Sequence, residues 1–263
     1  MKCLSSRDNP FFKMLLKLAG AARQRHKVQQ TLLDGAHLLQ ACLASGGQPL
    51  HVLLNETSLQ HAELVMLLEK IPDVPRTQLS HALFAELSDL KTTSGILTLI
   101  DIPAPAITPA YSKFCLLLED IQDPGNAGSI LRSAAAAGCD AVYLSPGCAD
   151  VWSPKVLRAS MGGHFVLSIH PSADLLAVAR ALPGKIFATS LQAENNLYAS
   201  NLCGNLAFAM GNEGAGLSPD LLAEIHHSIA IPMPGKVESL NVAAATAICL
   251  FEALRQRDLS SGA

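Results

Sequence analysis

The feature that most constrains this chain is a repeated alternation in its second half. Apolar runs of strand length occupy residues 114–118, 141–144, 186–189, 206–210 and 228–231. Helical patterns over 126–138, 173–182 and 219–224 fall between several of them, and another over 240–256 follows the last. Apolar strands alternating with helices predict an α/β fold with a mostly parallel sheet, because such strands are buried on both faces and each crossover returns as a helix.

A proline-rich stretch, Ile102-Pro103-Ala104-Pro105-Ala106-Ile107-Thr108-Pro109, precedes this alternation. Proline removes an amide donor and disfavours helix, so the stretch predicts an extended linker between domains at 1–105 and 110–263. The first domain reads as a small α/β unit. Asn9-Pro10 predicts a capped helix start, followed by Phe11, Leu15, Leu18 and Ala22 at helical spacing, with Gly20 a candidate early end. Helices are also expected over 31–44, 59–70 and 81–90, and strands over 50–54 and 96–100.

The net charge of −3 argues against a non-specific nucleic-acid coat, but its distribution says more. Seven of the 19 Lys and Arg lie in residues 1–28, where Asp8 is the only acid. Lys13, Lys17, Arg23, Arg25 and Lys27 are therefore candidate phosphate contacts on a basic arm. The seven Cys contain no CxxC pair, and no HExxH or His/Cys cluster occurs, so no metal site is expected. Free thiols in a cytoplasmic protein are the simplest reading. Lys13 and Lys17 interrupt the apolar run that a signal peptide would need, and no apolar run is long enough to span a membrane.

Three segments carry candidate chemistry. In Asp123-Pro124-Gly125-Asn126-Ala127-Gly128 a turn follows a strand and opens a helix that carries Arg132. Free amides at a helix start suit an anion, although a plain capped turn with Arg132 as a surface charge fits equally. Gly211-Asn212-Glu213-Gly214-Ala215-Gly216-Leu217 holds three glycines in six residues, either for close approach to a ligand or simply for a turn. Ile231-Pro232-Met233 leads to Ser239-Leu240-Asn241-Val242, a rigid loop in which Ser239 is the expected cap of the last helix. Neither GxGxxG nor GK[ST] is present, which removes support for a dinucleotide fold or ATP hydrolysis.

In order and spacing, these three segments resemble the signature motifs of the SpoU/TrmH branch of the SPOUT methyltransferase superfamily. Ser153-Pro154-Lys155-Val156-Leu157-Arg158-Ala159-Ser160-Met161-Gly162-Gly163 also looks like a segment common in that group, and the resemblance spans about 112–257. It implies a trefoil-knotted catalytic domain preceded by a small α/β RNA-binding domain. The implied reaction is transfer of a methyl group from S-adenosyl-L-methionine to an RNA ribose 2′-hydroxyl, without a metal. The two-domain layout looks more like ribosomal-RNA enzymes than the smallest tRNA enzymes. The alternatives are a non-catalytic RNA-binding protein with this fold and a base-methylating relative.

By the same resemblance, Arg132, Asn126, Glu213, Ser239 and Asn241 are the catalytic set. Gly211, Ile231, Met233, Ser239 and Leu240, with Thr189 and Leu191 after the preceding strand, hold the cofactor. Arg158 joins the RNA contacts, and the enzyme works as a homodimer. Guanidinium groups hold their proton, so Arg132 is expected to grip phosphate and stabilise charge on the 2′-oxygen, with water or phosphate accepting the proton. Asn126 is expected to order the loop or bind ribose. Glu213 is expected to anchor Arg132 or the loop, and Ser239 and Asn241 to position loop and substrate.

Overall fold

The computed structural model describes residues 2–88, 90 and 95–261. The first part of the chain runs β1 (Lys2–Leu4), α1 (Pro10–Gly20), α2 (Ala22–Val28), β2 (Gln30–Asp34), α3 (Ala36–Ala44), β3 (Pro49–Leu54), α4 (Ala62–Glu69), β4 (Arg76–Leu79), α5 (His81–Leu87) and β5 (Ile96–Asp101). The strands form one mixed sheet ordered β1-β4-β3-β5-β2. Helix α1 starts as its sequence predicts: the Asn9 side chain accepts from the Phe11 amide at 2.9 Å, with Pro10 in the first turn. Phe12, Leu15 and Leu18 are its fully buried residues. The helix ends at Gly20, Ala21 is extended, and Lys27 consequently sits on a separate helix.

Three expectations are corrected here. Residues 31–44 are not one helix. Thr31–Asp34 belong to β2, which pairs antiparallel with β5, and Gly35 at φ 116° makes the break before α3. Helical spacing and a strand buried on both faces are hard to tell apart over so few residues, and only pairing with β5 decides between them. The helix expected over 81–90 stops at Leu87; Asp89 lies outside the described residues. Arg25 is no free phosphate contact, because it is 3% exposed and donates to the carbonyls of Leu18 and Ala19. It therefore satisfies the last carbonyls of α1, which have no partner within the helix.

The second part runs β6 (Phe114–Leu118), α6 (Pro124–Ala136), β7 (Ala141–Leu144), α7 (Pro154–Ser160), β8 (Ser168–His170), α8 (Leu175–Ala181), β9 (Lys185–Thr189), β10 (Leu206–Met210), α9 (Pro219–Glu224), β11 (His227–Ile229) and α10 (Val242–Ser261). The five expected strands are all present. The three-residue β8 gives too short an apolar run to be noticed. All pairings in this sheet are parallel, in the order β11-β9-β10-β6-β7-β8. Side chains alternate along each strand. Cys115, Leu117, Tyr143, Ala188 and Ala209 pack with α8 and α9 residues such as Leu175, Val178 and Leu221. Helix α10 packs on α6 and β10.

The chain divides into two compact units: residues 1–103 with 152–165, and residues 104–151 with 166–263. One crossing between the units falls at 103/104, within the proline-rich stretch. The chain also returns to the first unit at 152–165, where the Thr31 hydroxyl donates to the Trp152 carbonyl at 2.7 Å. Arg158 sits in that returning segment, its guanidinium 3.5 Å from the Asp34 carboxylate and its side chain 21% exposed. No helix among the described residues is long and apolar enough to cross a membrane.

Candidate active site

Because the strands of the second sheet are parallel, the loops after β6, β7, β9, β10 and β11 all leave its same edge. The strand order reverses between β10 and β6: the chain works outward through β7 and β8 on one side and fills β9, β10 and β11 on the other. In open α/β sheets ligands bind beyond the carboxyl ends of the strands at such a reversal. A cavity of about 430 Å³ lies beside that reversal, beyond the carboxyl ends of β9, β10 and β11, and is within the range of small-molecule sites. Its walls come from the ends of β9 (Thr189, Leu191), β10 (Met210 and Gly211 to Leu217) and β11 (Ile231, Met233, Ser239, Leu240). All seven residues expected to hold a cofactor line it.

The glycine loop has a backbone reason for its composition. Asn212 and Gly216 exchange backbone hydrogen bonds at 3.1 and 2.9 Å, closing a tight turn. A Cβ on Gly211 would overlap the backbone of Gly216 and Leu217, and Gly216 stands at φ 71°. The Asn212 carboxamide accepts from the Gly214 and Ala215 amides at 2.9 and 3.1 Å. At its base, the Thr189 hydroxyl donates to the Ala209 carbonyl at 3.1 Å, tying β9 to β10.

A chain of side-chain hydrogen bonds joins the three segments singled out in the sequence. Asp123 caps α6 by accepting from the Asn126 amide at 2.8 Å. The Asn126 side chain donates to the Glu213 carboxylate and accepts from the Asn241 side chain at 3.0 Å. Asn241 in turn accepts from the Ala243 and Ala244 amides at 2.9 and 3.4 Å. Asn241, not Ser239, therefore caps α10, because the helix opens at Val242; Ser239 instead lines the cavity. Asn241→Ala should destabilise the fold by about 1 kcal/mol through loss of this cap, read as a lowered melting temperature.

Arg132 is placed differently. It is exposed in the body of α6, contributes nothing to the cavity wall, and has no hydrogen bond or ion pair among the described residues. Glu213 meets Asn126 and so holds the loop, not Arg132. Sequence reasoning missed Glu119, whose carboxylate accepts from both the amide and the hydroxyl of Ser218 at 2.7 Å and fixes the start of α9. An acidic residue immediately after a strand was the available signal.

Thiol chemistry has little purchase in the buried core. Burial pushes the Cys42 thiol up to about 11 and the Cys249 thiol to about 12, and drives Cys115 and Cys139 further the same way. The thiolate is the nucleophilic form, so these cysteines act as small hydrophobes. Among the described residues no group of three His, Cys, Asp or Glu is placed to hold a metal ion.

Residues 113–251, which contain the whole of this site, match the family model of the SpoU rRNA methylases. The chain belongs to the SpoU rRNA methylase family. Among its SpoU-type relatives, an uncharacterised tRNA/rRNA methyltransferase of Synechocystis is 32% identical over 97% of this chain and 94% of its own length. A 23S rRNA guanosine 2′-O-methyltransferase of Bacillus subtilis is 30% identical over 95% of this chain and 98% of its own. Among solved structures, the SpoU methyltransferase AviRb of Streptomyces viridochromogenes, crystallised with AdoMet, superposes with a TM-score of 0.82. It is 25% identical, over 96% of this chain and all of that one. The α/β SPOUT-type fold expected from the three motifs is thus the fold present.

Proposed function

We propose that this protein is an RNA ribose 2′-O-methyltransferase using S-adenosyl-L-methionine, with ribosomal RNA favoured over tRNA as substrate. The observation that carries the reading is the cavity beyond β9, β10 and β11, walled by the second and third motifs and tied to the first through Glu213, Asn126 and Asn241. The cofactor fits this site on two counts. The volume suits a nucleoside with an amino-acid tail, and the bare backbone at Gly211 and Gly216 permits close approach.

When bound, S-adenosyl-L-methionine supplies an already activated methyl group on its sulfonium, so no metal is required. Gly211, Ile231 and Leu240 would hold the cofactor through backbone groups, and Leu191 and Met233 would give apolar cover. The chain's main contribution is alignment of the ribose 2′-oxygen with the methyl carbon, and such orientation is worth several orders of magnitude in rate. Glu213, Asn126 and Asn241 keep the loops in register, and Ser239, in the cavity wall, would help to position the substrate. The Arg132 fork grips a phosphate and stabilises charge developing on the 2′-oxygen, while water or phosphate takes the proton.

Since Arg132 stands off its own chain's cavity, the working unit is a homodimer in which a second copy brings this arginine to the site. The setting is the cytoplasm.

Incubating the protein with radiolabelled S-adenosyl-L-methionine and total RNA from a host lacking the gene tests the reading. Label in a 2′-O-methyl nucleoside of ribosomal RNA is the expected result. Label in a base overturns the ribose assignment. Absence of label on both free RNA and ribosomal subunits would leave a binding protein.

RNA capture begins on the exposed cations Lys17, Arg23 and Lys27, with Lys13 partly neutralised by Asp8 at 2.7 Å. Removing Lys17 or Lys27 should flatten the dependence of log affinity on log salt by about 0.7–0.9 each. Titrations at several salt concentrations check this.

A further inference from the structure

We infer that Asp120 and Ser145, outside the three motifs, are positioning residues for the reaction, acting through Asn212 on the loop that carries Glu213. The inference rests on the proposed methyltransferase reading for its catalytic consequence, but its structural half stands alone. Asp120 follows β6 with a left-handed backbone, φ 55°, a conformation that Asp and Asn adopt more readily than other residues with a Cβ and that alanine disfavours. The Ser145 hydroxyl, just beyond β7, holds it there twice: it accepts from the Asp120 amide at 2.9 Å and donates to the Asp120 carboxylate at 2.7 Å. Gly147 leaves the space, since a Cβ there would overlap that carboxylate.

The left-handed turn sets the direction of the Asp120 carbonyl, which accepts from the Asn212 side chain at 3.0 Å. The other end of that carboxamide accepts the Gly214 and Ala215 amides at 2.9 and 3.1 Å. Asn212 is thus a strut between two loops on either side of the strand-order reversal, and Glu213 sits at its tip in contact with Asn126. If Asp120 relaxes to ordinary backbone angles, its carbonyl turns away and the glycine loop loses its outer support. An ångström of misplacement at such a site costs up to about a hundredfold in rate.

The test compares Asp120→Ala, Asp120→Asn and Gly147→Ala with the unaltered protein. Amide hydrogen exchange at Gly214 and Ala215 should accelerate more than about tenfold in Asp120→Ala and Gly147→Ala. Asp120→Asn should stay near the parent rate, because asparagine keeps the acceptor and tolerates the left-handed region. In methyl transfer, kcat should fall about tenfold to a hundredfold in the first two with the RNA KM within threefold, and Asp120→Asn should recover most of it. Calorimetric affinity for S-adenosyl-L-methionine should weaken about fivefold alongside, since the loop walls the cavity. Unchanged exchange in Asp120→Ala overturns the strut. Faster exchange with unchanged kcat overturns its catalytic role. A parent protein that neither binds the cofactor nor transfers methyl defeats the functional reading instead, and exchange still reports on the strut.

Discussion

Replacing Arg132 by alanine should lower kcat for methyl transfer by about a hundredfold to a thousandfold, the usual loss when one stabiliser of developing charge is removed. The same change should leave cofactor affinity and melting temperature almost untouched. Arg132 lines no part of the cavity, and its exposed side chain has no partner among the described residues whose loss would destabilise the fold. Arg132→Lys should recover only part of the rate, because an ammonium lacks the planar fork that binds phosphate at two points. Calorimetry with the cofactor and single-turnover transfer, run side by side, separate these effects. An alanine variant with full turnover would remove Arg132 from the chemistry.

Gly211→Ala should act at the opposite pole, on binding. The added methyl meets the backbone of Gly216 and Leu217, and backbone cannot swing aside as a long side chain does. The Asn212–Gly216 turn must open, and with it the wall of the cavity. Cofactor affinity should fall by about a hundredfold, equivalent to about 2.7 kcal/mol, in a protein that is also somewhat less stable. Mixing the Gly211→Ala and Arg132→Ala chains offers a sharper result. If each site takes its arginine from the other copy, a mixed dimer holds one intact site, and activity should return to a pool in which either variant alone is inactive. No recovery on mixing, with dimers formed, would mean that each chain uses its own Arg132.

The second half of this fold was legible because its physics is local. Buried parallel strands announce themselves as unbroken apolar runs, and the matching edges 114–118, 141–144 and 206–210 follow from composition alone. The first half was harder where an element owes its existence to a distant partner. Thr31 to Asp34 form a strand because β5 lies alongside, and Lys2 to Leu4 because β4 does, and neither partner is visible in a window of neighbouring residues. Periodicity also could not foresee Arg25 turning inward, since a helix wheel counts charge and not the carbonyls left over at the end of the previous helix.

At the site, the sequence named the residues but not their connections. Asn126, Glu213 and Asn241 were expected together through resemblance. That one carboxamide would receive from the last helix and give to the glycine loop required coordinates. The cap was misplaced by two positions for a related reason. Ser239 and Asn241 are both good capping types, and only the location of the first helical amide chooses between them.

The return of residues 152–165 to the first unit has a consequence for how this protein can be taken apart. A fragment beginning at residue 104 would contain every group in the cavity wall. It would also carry Trp152, Val156 and Leu157, all buried in the whole chain, on a segment severed from the unit they help to build. Such a fragment would be sticky, and the remaining N-terminal piece would lack the helix that packs against β2. First units therefore cannot be exchanged among relatives by a single splice in the proline-rich stretch. A working chimera needs two grafts, residues 1–103 and residues 152–165, made together.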